Sequence, residues 1–500
     1  MVKQVHLLLL MILMYSSAFT QNYNRPVPAT FPPYEFELIE SVPGTYQATS
    51  PFKWGVINPT NYMGLLDENG YLVWWTGAPN PQNDLKYDHF HGHFTFIDVS
   101  PSLGVQFKTL SSDMVLLDSV SSQLDEVEDN HEFVVAENGN QLFLSRSDTV
   151  MDLSQYMFND LQGVEFTSLR SINVQEIDPL GNVVFHWRAS DHIHPDQFID
   201  GFYYNQFDFD FVHANSINED WDGNLLVSFR HLDAVYKIHR TTGEVIWKLG
   251  GKQSDFSFPN DSVGFSGQHA ARRTVNGTIG MFDNSCIKPE PKSRAIEYAL
   301  DTVNWTATKV FEHFPEDSLF SWATGSYQLD DPELRSIGWG SGFGPAPNAT
   351  ILNGDGEVIS RLTYSDSIVS YRTWVGELPF EFPRPEITCA DSGVFMTLTA
   401  QSGFDHYLWS SGEFTQTITV ADTGDYMVWV NYGIGALGSL PFHVSDLNSA
   451  CDPMGINNYQ NVRRSDLDGS YDLLGRPIPD LPRGNMNIDV QGQGLRVIRP

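Results

Sequence analysis

Seven times along the chain a glycine-centred turn is followed by alternating apolar residues. The stretches are "DENGYLVWW" (Asp67 to Trp75), "AENGNQLFLS" (Ala136 to Ser145), "DPLGNVVFHW" (Asp178 to Trp187), "DWDGNLLVSF" (Asp220 to Phe229), "RTTGEVIWKL" (Arg240 to Leu249), "TVNGTIGMFD" (Thr274 to Asp283) and "NGDGEVISRL" (Asn353 to Leu362). Asn-Gly and Asp-Gly mark two-residue hairpins in which both central residues take positive φ. The alternation that follows has the period of a strand. Two flavours are present: Gly-x-Val-x-Trp-like at Gly70, Gly181 and Gly243, and Gly-x-Leu/Ile-like at Gly139, Gly223 and Gly277. Two hairpins per repeat describe a four-stranded blade, so the expected fold is all-β, a β-propeller. Five to seven blades fit, and six is the choice. Stacked sandwiches are the alternative. With 40 Gly, 28 Pro and 13% aromatics, short strands and turns are favoured over long helices.

At 500 residues the chain exceeds one ordinary core, so several domains are expected. Asp and Glu number 62 against 29 Lys and Arg, for a formal charge of −33. That field opposes nucleic acid and anionic membranes as partners, and an anionic substrate would need a local basic focus. The opening "MVKQVHLLLLMILMYSSAFTQ" has Lys3, an apolar run from Leu7 to Met14 and a small-residue exit, which reads as a signal peptide over 1–20. The run is short for a bilayer span, and no integral membrane segment is expected later. Of three cysteines, Cys389 and Cys451 flank one segment and could pair, leaving Cys286 over. No Cys/His spacing matches zinc.

The propeller is assigned to 21–380. After Pro379 the texture changes to a Pro-rich linker and then a Tyr-x-Trp strand, a Thr-rich strand and "DTGDYMVWV". These read as a small Ig-like β-sandwich over 381–448. The tail, 449–500, contains "YDLLGRPIPDLPRGNMNIDVQGQGLRVIRP". It resembles the short β C-terminal sorting domain of proteins exported by type IX secretion. That resemblance implies contact with the type IX secretion machinery and a secreted or cell-surface location.

The second turn flavour brings out the chemistry. His131 lies eight residues before Gly139, His213 ten before Gly223 and His269 eight before Gly277. Seven residues after those glycines come Arg146, Arg230 and Asn284. Positions equally far from a hairpin turn are cross-strand neighbours, so each histidine is expected beside a cation or amide. Equivalent positions in successive blades converge on a central channel. The implied site is a ring of imidazoles with a guanidinium and no obvious carboxylate or thiolate, suited to an oxyanion such as sulfate or phosphate. "HFHGHF" (His89, His91, His93) is read as three histidines on one strand face, favoured as a surface or channel-edge strand over a metal site. Trp74, Trp187 and Trp247 are read as inter-blade packing.

These residues stand in stretches that resemble the bacterial arylsulfate sulfotransferases. The stretches are "NHEFVVAENGNQLFLS", "DFVHANSINEDWDGNLLVSFRHLDAVYKIHRTTGEVIWKLGG" and "FSGQHAARRTVNGTIGMFDN", and the likeness runs from about Tyr62 to Tyr364. It implies a six-bladed propeller that moves a sulfuryl group from a phenolic sulfate donor to a phenolic acceptor. It uses no phosphoadenosine-type donor, no cofactor and no metal. It places the nucleophile, a transient sulfohistidine, on His269. His213 would contact the sulfuryl group and handle the phenol proton, Arg230 would neutralise charge, and His131 would complete the cluster. Asn215, Arg146 and Asn284 are candidate substrate-binding residues. A binding-only propeller for glycan or surface ligands, and an aryl sulfate hydrolase, are the alternatives. "EHFPEDSLFSWATGSYQL" (Glu312 to Leu329) is expected to supply a further channel-lining strand.

Overall fold

The turn glycines behave as the pattern requires, through a different turn. In the computed structural model Gly70, Gly139, Gly181, Gly223, Gly243, Gly277 and Gly356 all have φ between +74° and +86°. The residues before them do not have positive φ, so these are not two-residue turns with two left-handed centres. Gly70, Gly139, Gly181, Gly223, Gly277 and Gly356 each donate their N–H to the carbonyl three residues earlier. This is the common hairpin in which a turn is followed by one left-handed residue. A Cβ at Gly70 would lie 2.2 Å from the Phe36 ring, so that site also needs the missing side chain.

The structure describes residues 21–53, 61–78, 81–100, 104–315, 319–341, 347–365, 368–391, 395–445 and 447. The signal peptide (1–20) and the sorting domain (449–500) expected from the sequence lie outside them.

The described strands are all-β, arranged as a propeller of six four-stranded antiparallel units. Unit 1 runs, from the inside out, Ile368–Glu377, Thr45–Lys53, Asn61–Asp67 and Leu72–Ala78. Unit 2 is Gln82–Asp88, His93–Ser100, Gly104–Leu110 and Leu116–Val120. Unit 3 is Val127–Val135, Gln141–Met151, Thr167–Ile177 and Val183–Arg188. Unit 4 is Ala214–Glu219, Leu225–Phe229, Ala234–Ile238 and Val245–Gly250. Unit 5 is His269–Arg273, Ile279–Asp283, Arg294–Asp301 and Thr306–His313. Unit 6 is Ser326–Asp331, Leu334–Gly338, Ala349–Asn353 and Val358–Tyr364, widened outside by Tyr34–Leu38 and Gln21–Asn24. The inner strands of units 3, 4, 5, 6, 1 and 2 touch in that order, and those of units 2 and 3 are tied by Lys86 and Glu132, so the units form a ring. Unit 1 closes it, because its inner strand comes from the far end of the propeller sequence.

The two turn flavours fall on different hairpins. Gly139, Gly223 and Gly277 join the first and second strands of their units, and Gly70, Gly181 and Gly243 the third and fourth. The outer-strand tryptophans Trp74, Trp187 and Trp247 are buried in packing. Trp187 also donates its indole N–H to Gly243 O of the next unit at 2.9 Å.

Residues 387–444 form further short sheets around Leu398, Trp409, Ile418 and Val428. One of their strands, Gly435–Gly438, pairs with unit 1's outer strand (Ala436 opposite Trp75), so the sheets join edge to edge. The Pro-rich stretch is packed down as well: Phe382 is buried in a cluster with Trp374, and Arg384 pairs with Asp67 at 2.7 Å. Cys389 is disulfide-bonded and Cys286 is a free thiol. "HFHGHF" does not make one strand. Unit 2's first strand ends at Asp88 and its second begins at His93, so His89 to Gly92 form the turn between them and only His93 and Phe94 lie on a strand. Asp88 gathers it, with His91 Nδ1 at 2.6 Å.

In every unit the pairing of inner and second strand is interrupted by a bulge: at Asn83/Lys86, Glu128/Phe133, Ala214/Ser216, His269/Arg272, Gln328/Asp331 and Ser370/Thr373. Bulges re-aim side chains and are frequent beside active sites. The closing strand is buckled at its bulge by Arg372. Its guanidinium meets Asp84 of unit 2 at 3.1 Å and Glu132 of unit 3 at 2.8 Å, and donates to Asn215 O of unit 4 at 2.8 Å. Glu132 is 0% exposed, and that guanidinium and Lys86 Nζ at 2.5 Å are its close ion-pair partners. Removing one partner of such a buried network leaves an unpaired charge. Arg372→Met is expected to cost about 3–5 kcal/mol of stability, measured by denaturant unfolding.

Candidate active site

The bulges of units 3, 4 and 5 gather the three histidines singled out in the sequence. His131 lies inside the unit 3 bulge, His213 just before the unit 4 inner strand, and His269 at the head of the unit 5 inner strand. The backbone is strained there. His213 (φ +45°), Ala270 (+53°) and Thr324 (+59°) are left-handed without being glycine. Such conformations persist where surrounding structure enforces them, and they concentrate at functional sites.

His269 is buried, and its protonation pattern follows from its partners. Asn284 Nδ2 donates to Ser321 O (2.8 Å) and Thr324 O (3.0 Å). Its Oδ1 therefore faces His269 Nδ1 at 2.7 Å, and an amide oxygen only accepts. Nδ1 must carry the hydrogen, which it shares with Gly267 O at 3.1 Å. The lone pair is left on Nε2, where the Thr324 N–H approaches to 3.2 Å. Burial first, then the nearby Arg230, His131 and His213, push the His269 imidazole well below its ordinary pKa, outweighing the Asn284 bond.

The segment leading to His269 is held by carboxylates. Gly267 (φ +64°) donates its N–H to Asp233 Oδ1 at 2.7 Å, and a Cβ there would meet Cys286 Sγ at 2.6 Å. Asn215 Nδ2 donates to Gln268 O at 2.7 Å, while its Oδ1 is buried without a partner. Asn215 thus ties the His213 strand to the residue before His269.

His131 and His213 are each backed by an acid. Asp129 Oδ1 lies 2.6 Å from His131 Nδ1, and Asp210 Oδ2 lies 2.6 Å from His213 Nδ1. Burial opposes charge on His131, yet Asp129 holds its imidazole above the usual value. The two rings meet edge to face with centroids 5.0 Å apart. The site therefore does contain carboxylates. They were hidden because Asp129 and Asp210 stand two and three residues before their histidines, where the bent backbone turns them behind the rings. "EDNH" and "DFVH" were the signals.

Arg230 opens the one-turn helix Arg230–Leu232, and its N–H bonds His213 O at 3.0 Å. Its Nη2 donates to Trp322 O at 2.8 Å and points at Cys286 Sγ at 3.6 Å. Its Nη1 donates to His231 Nε2 at 2.9 Å, its face lies 4.9 Å from the Phe202 ring, and its Nε is buried without a partner. A thiol is thus present too, kept protonated because burial pushes Cys286 up to about 11. The segment 319–325 supplies Ser321 O, Trp322 O, Thr324 N and Thr324 O, so backbone groups rather than side chains line that side.

The cross-strand expectation holds for two of three pairs. Asn284 bonds His269, and Arg230 bonds the backbone of His213. Arg146 is not brought to His131: it pairs with Val127, and its side chain is loosely matched to Asp148 at 3.8 Å. The bulge between Glu128 and Phe133 shifts His131 out of the simple register. Sequence reasoning also missed His231 and the Arg372 network. Asp210, His213 and His231 present ligand atoms within 4.8 Å of one another. His231 is spoken for, however: Nδ1 donates to Asp210 O at 2.7 Å and Nε2 accepts from Arg230, so a metal would have to displace the guanidinium.

The profile of the arylsulfotransferase (ASST) family matches residues 66–341, more than half of the chain, and that span includes every group of the cluster except the Arg372 buckle. The chain belongs to the arylsulfotransferase family. No curated protein sequence matches it. Among solved structures, a protein of unknown function from Bacteroides caccae is 11% identical, with TM-score 0.42, covering 66% of this chain and 98% of its own. A periplasmic gluconolactonase from Pseudomonas aeruginosa is 11% identical, with TM-score 0.36, covering 81% and 98%. A virginiamycin B lyase from Staphylococcus aureus is 8% identical, with TM-score 0.30, covering 63% and 95%. Likeness at that level says nothing about substrate. Family membership suggests an arylsulfate sulfotransferase.

Asp233 offers a test of how the His269 segment is held. Burial, reinforced by Asp283, raises its carboxyl from 3.8 to about 7. The folded protein therefore keeps a proton that the unfolded chain has released, and stability falls as pH rises through that window. Asp233→Asn keeps an oxygen for Gly267 and removes the titration. Its stability relative to native is expected to rise between about pH 4 and 7, read from melting temperatures.

Proposed function

We propose that the protein transfers a sulfuryl group from a phenolic sulfate ester to a phenolic acceptor through a covalent sulfohistidine on His269. The observation that supports this most is the buried imidazole whose tautomer Asn284 dictates. It is neutral at working pH, with its lone pair on Nε2. A nucleophile needs that lone pair, and an ordinary histidine, with a pKa of about 6.5, gives up part of it to a proton near neutrality.

Nε2 attacks sulfur, forming N–S as the S–O bond to the aryl group breaks. The leaving phenoxide takes a proton from His213, whose orientation Asp210 sets. An acceptor phenol then returns a proton to His213 and attacks sulfur, and N–S breaks. Two half-reactions through one intermediate give ping-pong kinetics. Arg230 and His131, the latter held toward its charged form by Asp129, face the sulfuryl oxygens as fixed positive charge. The Thr324 N–H gives up Nε2 when sulfur arrives and donates to a sulfuryl oxygen instead. No step calls for a metal or cofactor.

The wider assignment belongs to the same reading. It comprises a six-bladed propeller, an Ig-like module over 381–448, a cleaved signal peptide, and a type IX sorting tail that delivers the enzyme outside the cell or to its surface.

Incubation with 4-nitrophenyl sulfate tests the reaction. Nitrophenol release that depends on an added phenol supports transfer. Acceptor-independent release makes the protein a hydrolase, and no release from a broad donor panel makes it a binding protein. His269→Ala is expected to abolish turnover and an acid-labile label that brief donor exposure leaves on the native chain. A second prediction concerns Asn284→Asp. A carboxylate at this position favours the imidazolium, so the acid limb of kcat/KM should move up by about 1 to 3 pH units. A pH–rate profile checks it.

A further inference from the structure

Arg230 differs from four other arginines of the ring. Arg240, Arg273, Arg294 and Arg372 each meet a carboxylate within 2.9 Å. Among the described residues no carboxylate pairs with Arg230. Its partners are His231 Nε2, the Trp322 carbonyl, the Cys286 thiol and the Phe202 ring, all neutral. In a chain with 62 acids and 29 bases, a guanidinium with a buried Nε and no carboxylate partner is not the default.

We infer that His231 is a positioning residue that aims the Arg230 guanidinium while leaving its positive charge uncancelled for the anionic donor. This rests on the sulfuryl-transfer reading above. An imidazole can do this only as a neutral acceptor. His231 Nδ1 donates to Asp210 O at 2.7 Å, and that carbonyl cannot donate in return, so Nε2 bears the lone pair that receives Arg230 Nη1 at 2.9 Å. The titratable and charged groups facing His231 are His213, Asp210 and Arg230. Burial, then His213, push the imidazole down to about 3 against the pull of Asp210, so it stays an acceptor throughout the neutral range. The ring cannot swing away. It stacks on His213 with ring centroids 4.7 Å apart and packs on Phe202 at 4.8 Å.

Asp210 is kept off the arginine by the same arrangement. Asp210 gives its backbone carbonyl to His231 and its carboxylate to His213. One residue thereby fixes the tautomer of the positioning histidine and the orientation of the proton-handling one. A glutamate at 231 would hold Arg230 by a stronger bond and cancel its charge. Hydrogen-bond strength and useful charge are therefore opposed at this position, and the opposition separates positioning from simple packing.

The test compares His231→Gln, His231→Glu and His231→Leu in the full chain, each checked for a native-like melting temperature. The readouts are kcat and KM for 4-nitrophenyl sulfate and the Kd for inorganic sulfate. Gln places a neutral oxygen near Nε2 and is expected to stay within about tenfold of native kcat/KM, whereas Glu should lose about a hundredfold or more. Sulfate binding should weaken with Glu and persist with Gln. Leu, which fills the space without an acceptor, should fall clearly below Gln. If Glu matches or exceeds Gln, or if Leu equals Gln, the inference is overturned while the sulfuryl-transfer reading stands. If the native protein itself neither binds sulfate nor turns over the ester, that reading fails first. A Glu variant that does not fold leaves the Gln–Leu comparison to decide.

Discussion

Everything in this site depends on closing a ring with a strand from the far end of the propeller sequence. Ile368–Glu377 pairs with Thr45–Lys53, and only then do six inner strands face one another. The closing strand also touches the chemistry directly. Tyr371 donates its hydroxyl to His131 O at 3.0 Å, its carbonyl accepts the Gly325 N–H at 3.1 Å, and Arg372 reaches Asn215 O. Units 3, 4 and 6 are thus registered against unit 1. Loop-closure entropy for so distant a pairing grows only slowly with chain length, so a few buried contacts suffice to hold it.

The second constraint is electrostatic. On the sulfuryl-transfer reading, a strongly acidic chain must present positive charge to an anion without letting its own carboxylates cancel it. Here the acids near the site are each committed elsewhere: Asp129 to His131, Asp210 to His213, and Glu132 and Asp84 to Lys86 and Arg372. Arg230 is held by neutral groups only. His269 stays uncharged because burial and the surrounding cations both disfavour its imidazolium.

Much of this was legible in the chain. The turn glycines located the hairpins, and the two flavours separated inner from outer ones, because a left-handed position after a turn admits little else. Histidine phase named the residues that converge. Asn284 was legible because it lies nearly as far beyond its turn as His269 lies before it, and the bulge there is small enough to leave the two in contact. Arg146 failed because the larger bulge in unit 3 carries His131 out of register. "HFHGHF" failed because alternation was read through what is a turn around Asp88. His231 was passed over as the neighbour of a more conspicuous arginine.

By itself, the sequence determined the strand-and-turn texture, the repeat, the acidic surface and the identities of His131, His213, His269, Arg230 and Asn284. These follow from local backbone preference and from spacing along one chain. Only the tertiary structure decided which imidazole nitrogen bears a lone pair, which acids stand behind which rings, and that Arg230 keeps its charge. Those properties belong to groups from different units brought within hydrogen-bonding distance at bulges, and spacing along a chain does not encode the direction in which a bulge turns a side chain.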